Sequence, residues 1–485
     1  MPSQNEYNVA KQNNRIIYAK IYLLNFNLQR VDELSGVVLD GATFSIDANS
    51  DVRRTCSLSI VPTSSSFDIK YGSKVWIDKY IQIYVGIKDN LTQEVVYTNM
   101  GVYLINNPSK VYNATSNTLT INGLDLMSKL TGLRNGYLSG VEYQIPSGSS
   151  IREAIIALLQ ENNITKYVLE EPTPTSTLPN DMITSIGDTY YTILTELRDI
   201  NSNYQMYFDV DGVFHFDRIP SGKNEAIRVD DDIFQSVLID YNNTVDYSTI
   251  KNVIEVYGKT WEVTNYFPTV TFEDNVYTLS GLVGTTFYDG MIIGFNTTDG
   301  STEPKVYIEE LGETLIVYAD TKEVQYATLS PPDTASGEES KYQILKYVES
   351  GDKAEGSYFV YYGELTPSGY AEDDNPDSPF YVNGTAGKIR IVLSGGEYDN
   401  IYTSELAQQR AEYELYLRCQ LQDQIQVTLV PLYWLDVNWL VELTLPNEQG
   451  GTETNQYITK SISTTLGVSG TQSVSMMKYY PLYNE

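Results

Sequence analysis

Short runs of alternating polar and apolar residues, separated by turn-forming residues, constrain the fold of this chain more than any other feature. Val, Ile, Thr and Tyr dominate these runs, and 41 Tyr against 13 Phe and 4 Trp is a composition typical of half-buried strands. Turn dipeptides such as Asp40-Gly41 and Asn122-Gly123 separate the runs. In the first part of the chain, strands are predicted at Ile16 to Leu23, Thr55 to Val61, Val75 to Val85, Val95 to Ile105 and Thr118 to Ile121. They indicate a small β-barrel over residues 15–125.

The next part of the sequence mixes helices and strands. Ser150-Ile151-Arg152-Glu153 matches a capping box followed by an apolar stripe, so a helix is predicted near 150–162. A second helix is predicted near Tyr190 to Asn201. A hairpin then joins Tyr204 to Val210 with Val213 to Phe216 through the turn Asp211-Gly212. Residues 126–245 are therefore predicted to form an α/β domain.

A stretch dense in Gly and acidic turns follows, and it is predicted as a β-rich insertion over residues 261–396. Strands within it are predicted at Thr314 to Ala319 and Ser357 to Tyr362. A scaffold helix is predicted from Ser404 to about Gln422, within a segment 397–421, with Leu406, Tyr413 and Leu417 along one stripe.

The last part of the chain returns to short strands, which are predicted at Ile425 to Leu429, Leu440 to Leu445, Gln456 to Ile462 and Gln472 to Lys478. Residues 246–260 together with 422–485 are predicted to form a second β-barrel. The two barrels share a faint repeat, because Leu104 to Thr120 and Ile458 to Val474 are both separated by 16 residues in similar strand patterns. A duplicated barrel is therefore expected.

The charge of the chain excludes some classes of function. With 63 acidic and 32 basic residues the net charge is −31, which opposes binding to nucleic acid and to anionic lipid. Cys56 and Cys419 are far apart and are expected to be reduced thiols. No signal peptide and no membrane span is predicted, because no stretch approaches 18 uncharged apolar residues.

The sequence predicts no catalytic, cofactor-binding or metal-binding residues. His215 is the single histidine and is predicted to be a strand side chain in the hairpin, which leaves little room for a zinc site or a serine or cysteine triad. Asp230-Asp231-Asp232 and Asp373-Asp374 match no calcium loop and are predicted to be solvated turn acids. Two alternatives stay open: a polysaccharide hydrolase that uses paired carboxylates, and a carbohydrate-binding cell-surface adhesin that uses exposed Tyr and Trp of the insertion.

The order of these parts resembles the hub proteins of bacteriophage tails and related contractile injection machines. The passages that carry the resemblance cover residues 15 to 259 and 397 to 482. They are Ile121 to Leu130, the helix begun by Ser150, the hairpin Phe208 to Phe216, the strand Ile250 to Gly258, the helix Ala407 to Leu417 and the passage Val430 to Val437. The insertion has no counterpart in the family pattern.

The resemblance implies a mainly β protein with two small β-barrels of the hub type, an α/β domain and a β-rich insertion. It further implies a homotrimer in the virion, at the tail tip or baseplate, assembled in the host cytoplasm. Such a trimer adapts a hexameric tail tube or distal tail protein to a central spike or fibre, with phage DNA as transient cargo. The sequence stops directly after the second predicted barrel, so the spike or fibre is expected to be a separate polypeptide. Exposed Tyr and Trp make the insertion, which the resemblance does not cover, a candidate for contact with a host cell-wall glycan. The resemblance implies no cofactor and no enzymatic activity.

Overall fold

A computed structural model of the chain shows a mainly β protein with five α-helices among its described residues. The structure describes residues 2–62, 67–113, 115, 117–138, 143–173, 175–178, 181–185, 187–201, 203–222, 224–282, 284–317, 326–332, 334, 339–349, 357–363, 366–419, 422–446, 450–467 and 469–480. Calls on Ala319 and Leu421 lie outside this part.

The first barrel is built from seven strands preceded by a short helix. They are α1 (Gln4–Ala10), β1 (Ile17–Leu24), β2 (Arg30–Leu34), β3 (Val37–Asp47), β4 (Arg54–Ile60), β5 (Tyr80–Lys88), β6 (Val95–Tyr112) and β7 (Asn117–Leu124). Alternate side chains of these strands, including Ile21, Phe44, Leu58, Ile83 and Ile121, fill one core. The predicted strand at Val75 begins only at Tyr80, and β2 and β3 were not predicted. The barrel itself was predicted correctly.

The α/β part packs against the first barrel, since Leu24, Tyr80, Val102 and Leu104 of the barrel lie in its core. Its elements are β8 (Gln144–Ile145), α2 (Ile151–Glu161), β9 (Tyr167–Leu169), β10 (Met182–Ile183), α3 (Tyr190–Asp199), β11 (Tyr204–Phe208) and β12 (Phe214–Arg218). The predicted range 126–245 also contains α4 (Asp231–Val237) and β13 (Leu238–Asp246), but these belong to the second barrel, because α4 packs in its core and β13 pairs with one of its strands. Ser150 caps α2 by accepting a hydrogen bond from the backbone N–H of Glu153. His215 lies on β12 opposite Tyr207, as the hairpin pattern predicted. The buried faces of α2 and α3 share one core with the hairpin.

The predicted insertion contains two different structures. Its first part is an eight-stranded sheet made of β15 (Asn265–Phe267), β16 (Thr269–Glu273), β17 (Val276–Ser280), β18 (Ile292–Thr297), β20 (Lys305–Ile308), β21 (Gly312–Val317), β23 (Lys341–Val348) and β24 (Tyr358–Gly363), with β19 (Ser301–Thr302) and β22 (Thr328–Leu329) paired beside it. The sheet runs from β15 through to β16, and only Pro268 separates these two strands in sequence. The sheet therefore returns upon itself around its own core.

The second part of the predicted insertion belongs to a different sheet. β25 (Ser368–Glu372) and β26 (Arg390–Leu393) pair on either side of β14 (Val253–Tyr257), and α5 (Ser404–Arg418) packs on this sheet. Ala407 and Ala411 of α5 lie in the core that the helix shares with this sheet. The helix backbone at Ala407 lies so close to Gly369 of β25 that no side chain would fit at position 369. α5 ends at Arg418, earlier than predicted, because the next strand begins at Gln422.

The last strands complete a second barrel. β27 (Gln422–Leu429), β28 (Leu440–Pro446), β29 (Thr452–Thr465) and β30 (Gln472–Lys478) join β13, and their apolar side chains share a core with α4. The prediction that residues 246–260 supply this barrel needs correction, because β13 pairs with β27 whereas β14 pairs with β25 and β26. The two small barrels of the predicted fold class are confirmed.

Candidate assembly surface

The two barrels repeat the same strand order. The first contains the series β3-β4-β7-β6-β5 and the second contains β13-β27-β30-β29-β28, with antiparallel pairing throughout. The two series can be aligned at the first residues of β5 and β28, which pair with Leu104 of β6 and Ile458 of β29. In this alignment Val474 corresponds to Ile121. The sequence spacing matched Val474 with Thr120, which is one residue earlier. Buried Cys56, Leu58 and Ile60 of β4 then correspond to buried Ile425, Val427 and Leu429 of β27.

The two barrels are joined by direct strand pairing. β28 covers β29 only as far as Ile458, and the second half of β29, Ser461 to Thr465, pairs with Asp47 to Thr43 of β3. Eleven strands from both barrels thus form one continuous series, with β28 beside it. This pairing, which we call the barrel joint, fixes the relative position of the two barrels through backbone hydrogen bonds.

A buried ion pair lies beside the barrel joint. Arg54, opposite Ile46 of β3, contacts Asp436 from the loop between β27 and β28, and the Arg54 side chain is 3% exposed. The carboxylate of Asp125 accepts hydrogen bonds from the backbone N–H groups of Arg54 and Met127, both at 2.9 Å. Burial nevertheless raises the pKa of Asp125 to about 6. The joint therefore depends on charges that must be compensated within the protein.

The hairpin of β11 and β12 contributes a third set of contacts to the barrel joint. Gln205 accepts hydrogen bonds from Arg53 at 2.9 Å and from Asn438 at 2.7 Å, so it links both barrels. The Arg53 guanidinium also lies 4.1 Å from the ring centroid of Tyr207. Lys460 donates to Asn438, and burial, together with the charge of Arg53, lowers the pKa of Lys460 to about 8.

Each of the two strand edges that form the barrel joint has a counterpart in the other barrel. β13 is the counterpart of β3, and it forms the first strand of the long sheet with β27 on one side only. The second half of β6 is the counterpart of the second half of β29, because β5 covers β6 only as far as Leu104. Within the described residues no strand pairs with the outer edge of β13 or with this side of β6 from Ile105 to Tyr112. These two edges form the candidate assembly surface.

Exposed apolar side chains surround both free edges. Ile239, Tyr241 and Tyr247 on or beside β13 are 54%, 41% and 72% exposed. Loops beside the free half of β6 are held against it by the ion pair of Lys110 with Asp68 and by hydrogen bonds from Arg134. The exposed side chains on this side are Tyr71, Ile77, Val111, Tyr112 and Leu133. Clustered apolar surface beside an unpaired strand is typical of a protein–protein interface.

The residues considered for chemistry occupy structural positions. His215 stacks on Tyr207 with ring centroids 5.0 Å apart, and its Nε2 lies 3.1 Å from the Asp209 carboxylate. Asp230 precedes α4 as its N-cap residue, and the Asp373 carboxylate contacts Ser378 and the Cys419 thiol. In the described ranges, no three Asp, Glu, His or Cys side chains are grouped so that they could hold a metal ion. No helix in that same part of the chain is long and apolar enough to cross a membrane.

Comparison with known proteins identifies the fold. Residues 377–483 match a family model described as a domain of unknown function, DUF5048, and no curated protein matches. Among solved structures, a 43 kDa tail protein of prophage MuSo2 from Shewanella oneidensis is 10% identical with a TM-score of 0.50, over 95% of this chain and 98% of that one. A tail protein from Neisseria meningitidis is 9% identical with a TM-score of 0.47, over 96% and 98% of the two chains. The predicted resemblance to phage tail hub proteins is confirmed at the level of the fold.

Proposed function

We propose that this protein is a structural hub of a bacteriophage tail, in which three subunits close into a ring by repeating the barrel joint between subunits. The observation that carries the proposal is the presence of one complete joint and both free halves of a second. In a ring, β13 of one subunit would pair with the second half of β6 in the next, as β3 pairs with β29 within the subunit. Such an interface is heterologous, and it closes only if the rotation per subunit divides a full turn.

Three subunits with two barrels each would place six similar barrels around one axis. This arrangement would present sixfold pseudosymmetry to a tail tube or distal tail protein and true threefold symmetry to a separate spike or fibre. The protein would act in the virion, at the tail tip or baseplate, by shape and binding area and not by catalysis. Three times −31 gives a ring charge of −93, and acidic residues on the inner wall would keep passing DNA from adsorbing.

The test of the ring is the mass of the purified protein and of its variants. Light scattering should report about 164 kDa, three times 54.7 kDa, at concentrations that favour assembly. Replacing Tyr112 and Tyr241 by Ser should shift the protein to 54.7 kDa while circular dichroism stays unchanged. Tyr288→Ser, in the loop between β17 and β18 of the insertion and 53% exposed, is the control and should leave the trimer intact. A subunit that remains single within assembled tails would contradict the proposal.

A second candidate role is contact with a host cell-wall glycan through the insertion sheet. The rings of Tyr266 and Tyr342 are parallel within 6° with centroids 5.9 Å apart, and Tyr266 is 41% exposed. The amide of Asn296 donates a hydrogen bond to the Tyr266 hydroxyl at 3.0 Å and holds that ring in place. Exposed, oriented tyrosine rings suit the apolar faces of sugars. Titration with N-acetylglucosamine oligomers should show binding that Tyr266→Ala abolishes and Tyr288→Ala preserves; equal binding by both variants would exclude this surface.

A further inference from the structure

A pocket of about 280 Å³ lies between the first barrel and the α/β part. Phe26 and Leu28, in the turn between β1 and β2, form one wall, and Leu126 and Phe208 form another. Leu28 has a positive φ of 58°, which is uncommon for a residue with a side chain, and Asn25 fixes this turn by accepting hydrogen bonds from Asn27 and Gln29. The hairpin approaches closely because Gly212 faces Leu126, where a Cβ would lie 3.0 Å from Leu126 Cδ1. The pocket is thus built by fixed elements from two parts of the chain.

Two lysines line this pocket, and neither has an acidic partner among the described residues. Lys129, in the short 3₁₀ turn Leu126–Lys129, and Lys166, just before β9, form no ion pair with any described residue. The Lys129 ammonium lies 5.1 Å from the centroid of the Phe26 ring. Burial lowers the pKa of Lys129, so its charged form is destabilised where it stands. In the part of the chain that the structure describes, neither lysine has a carboxylate oxygen within 4.0 Å of its ammonium, although the sequence carries 63 acidic residues.

We propose that this pocket binds a carboxylate side chain, next to an apolar residue, on an extended segment of a partner protein. The two ammonium groups would receive the carboxylate, and the walls of Leu28, Leu126 and Phe208 would cover the apolar neighbour. Because the pocket volume is at the small end for ligand sites, it suits one or two side chains and not a larger ligand. Phe26, 55% exposed at the rim, would be covered by the bound segment.

The pocket lies within one subunit, so its test does not depend on ring formation. The probe is the blocked dipeptide acetyl-Leu-Glu-amide, and acetyl-Leu-Gln-amide is its uncharged match. Lysine amines carrying ¹³C-methyl groups report binding by nuclear magnetic resonance, and the Lys129 signal is assigned with Lys129→Arg. The Glu peptide should bind saturably and raise the apparent pKa of Lys129, whereas the Gln peptide should bind roughly tenfold more weakly.

Matched variants separate the pocket from general charge attraction. Lys129→Met and Lys166→Gln should each weaken the Glu peptide by roughly tenfold. Lys88→Met removes a lysine of the first barrel outside the pocket and should have no effect. Equal affinity for the two peptides, or an unchanged affinity in both pocket variants, would overturn the proposal. Binding of propionate as tight as that of the Glu peptide would show a site for free small acids and would equally overturn a protein partner.

Discussion

Replacing Asp436 by Asn would leave the Arg54 guanidinium buried beside the barrel joint without its counter-charge. Arg54 is 3% exposed and Asp436 is 19% exposed, so water can compensate only on the Asp436 side. Removing one partner of a buried ion pair typically costs about 3–5 kcal/mol, and the partial exposure of Asp436 places this case near about 3 kcal/mol. The joint should be the part of the protein most weakened, because Arg54 lies opposite β3 where it meets β29.

Urea unfolding followed by tryptophan fluorescence can measure this loss. Trp434 and Trp439 lie in the same loop as Asp436 and would report on the second barrel directly. With a slope of about 2–3 kcal/mol per molar urea, the midpoint of that transition should fall by about 1 M.

The surface pair of Arg30 and Glu33, 53% and 47% exposed, supplies the control, and Glu33→Gln should cost less than about 1 kcal/mol. The double variant Arg54→Met with Asp436→Leu should be more stable than Asp436→Asn alone, since it removes both charges of the pair instead of leaving Arg54 unpaired. The reasoning would be refuted by an Asp436→Asn midpoint equal to that of Glu33→Gln, or by a double variant that is the less stable of the two.

Three further outcomes are expected. Lys460→Met should stabilise the protein by about 1 kcal/mol at pH 7, because it removes a buried ammonium near Arg53. The gain should vanish as the pH rises from 8 through 10.5, because the lysine of the folded protein is then already neutral. Urea unfolding of both proteins from pH 6 to 10 checks this. Burial raises the pKa of Asp125 in the folded protein to about 6, so protonation of this carboxyl favours folding. The stability from its protonation is present below about pH 4 and is lost as the pH rises through 6. Asp125→Asn should therefore reduce the change of the unfolding free energy between pH 4 and 7, as measured by urea unfolding. Replacing residues 262–365 by a Gly-Ser linker should preserve cooperative unfolding of the remaining protein. Removing residues 260–396 should not, because β25 and β26 pair with β14. Calorimetry of the two deletion variants distinguishes these outcomes.

Local patterns in the sequence predicted many elements but not all of their partners. The hairpin around Asp211-Gly212, the helix after Ser150 and the strand Gln472–Lys478 follow directly from turn chemistry, capping and alternation. β3 was missed because Asp40-Gly41 was interpreted as the end of a strand. In the structure Gly41, with φ of 83°, lies within a bulge of β3, where the register shifts between Val38 and Thr43.

The barrel joint could not be predicted from local sequence. Arg54 and Asp436 are 382 residues apart, and either one alone has the pattern of an ordinary solvated charge. The strand at residues 253–257 was assigned to the second barrel because its alternation fits any buried sheet, and pairing with β25 and β26 is decided by packing against α5. The repeat between the barrels was the one signal in the sequence that pointed towards the assembly surface, and it was correct to within one residue.

An engineered disulfide between β13 and β6 would test the ring most directly. Ser45 and Ser463 are exposed and face each other across the joint within the subunit, and their counterparts are Thr244 and Ser109. In a background with Cys419→Ser, oxidation of Ser45→Cys with Ser463→Cys should give a linked chain that still migrates as a single subunit. Oxidation of Thr244→Cys with Ser109→Cys should instead give species up to about 164 kDa, three linked chains of 54.7 kDa. If the control pair forms fully while the Thr244 and Ser109 pair stays at 54.7 kDa, the two edges do not meet and the proposed ring is wrong.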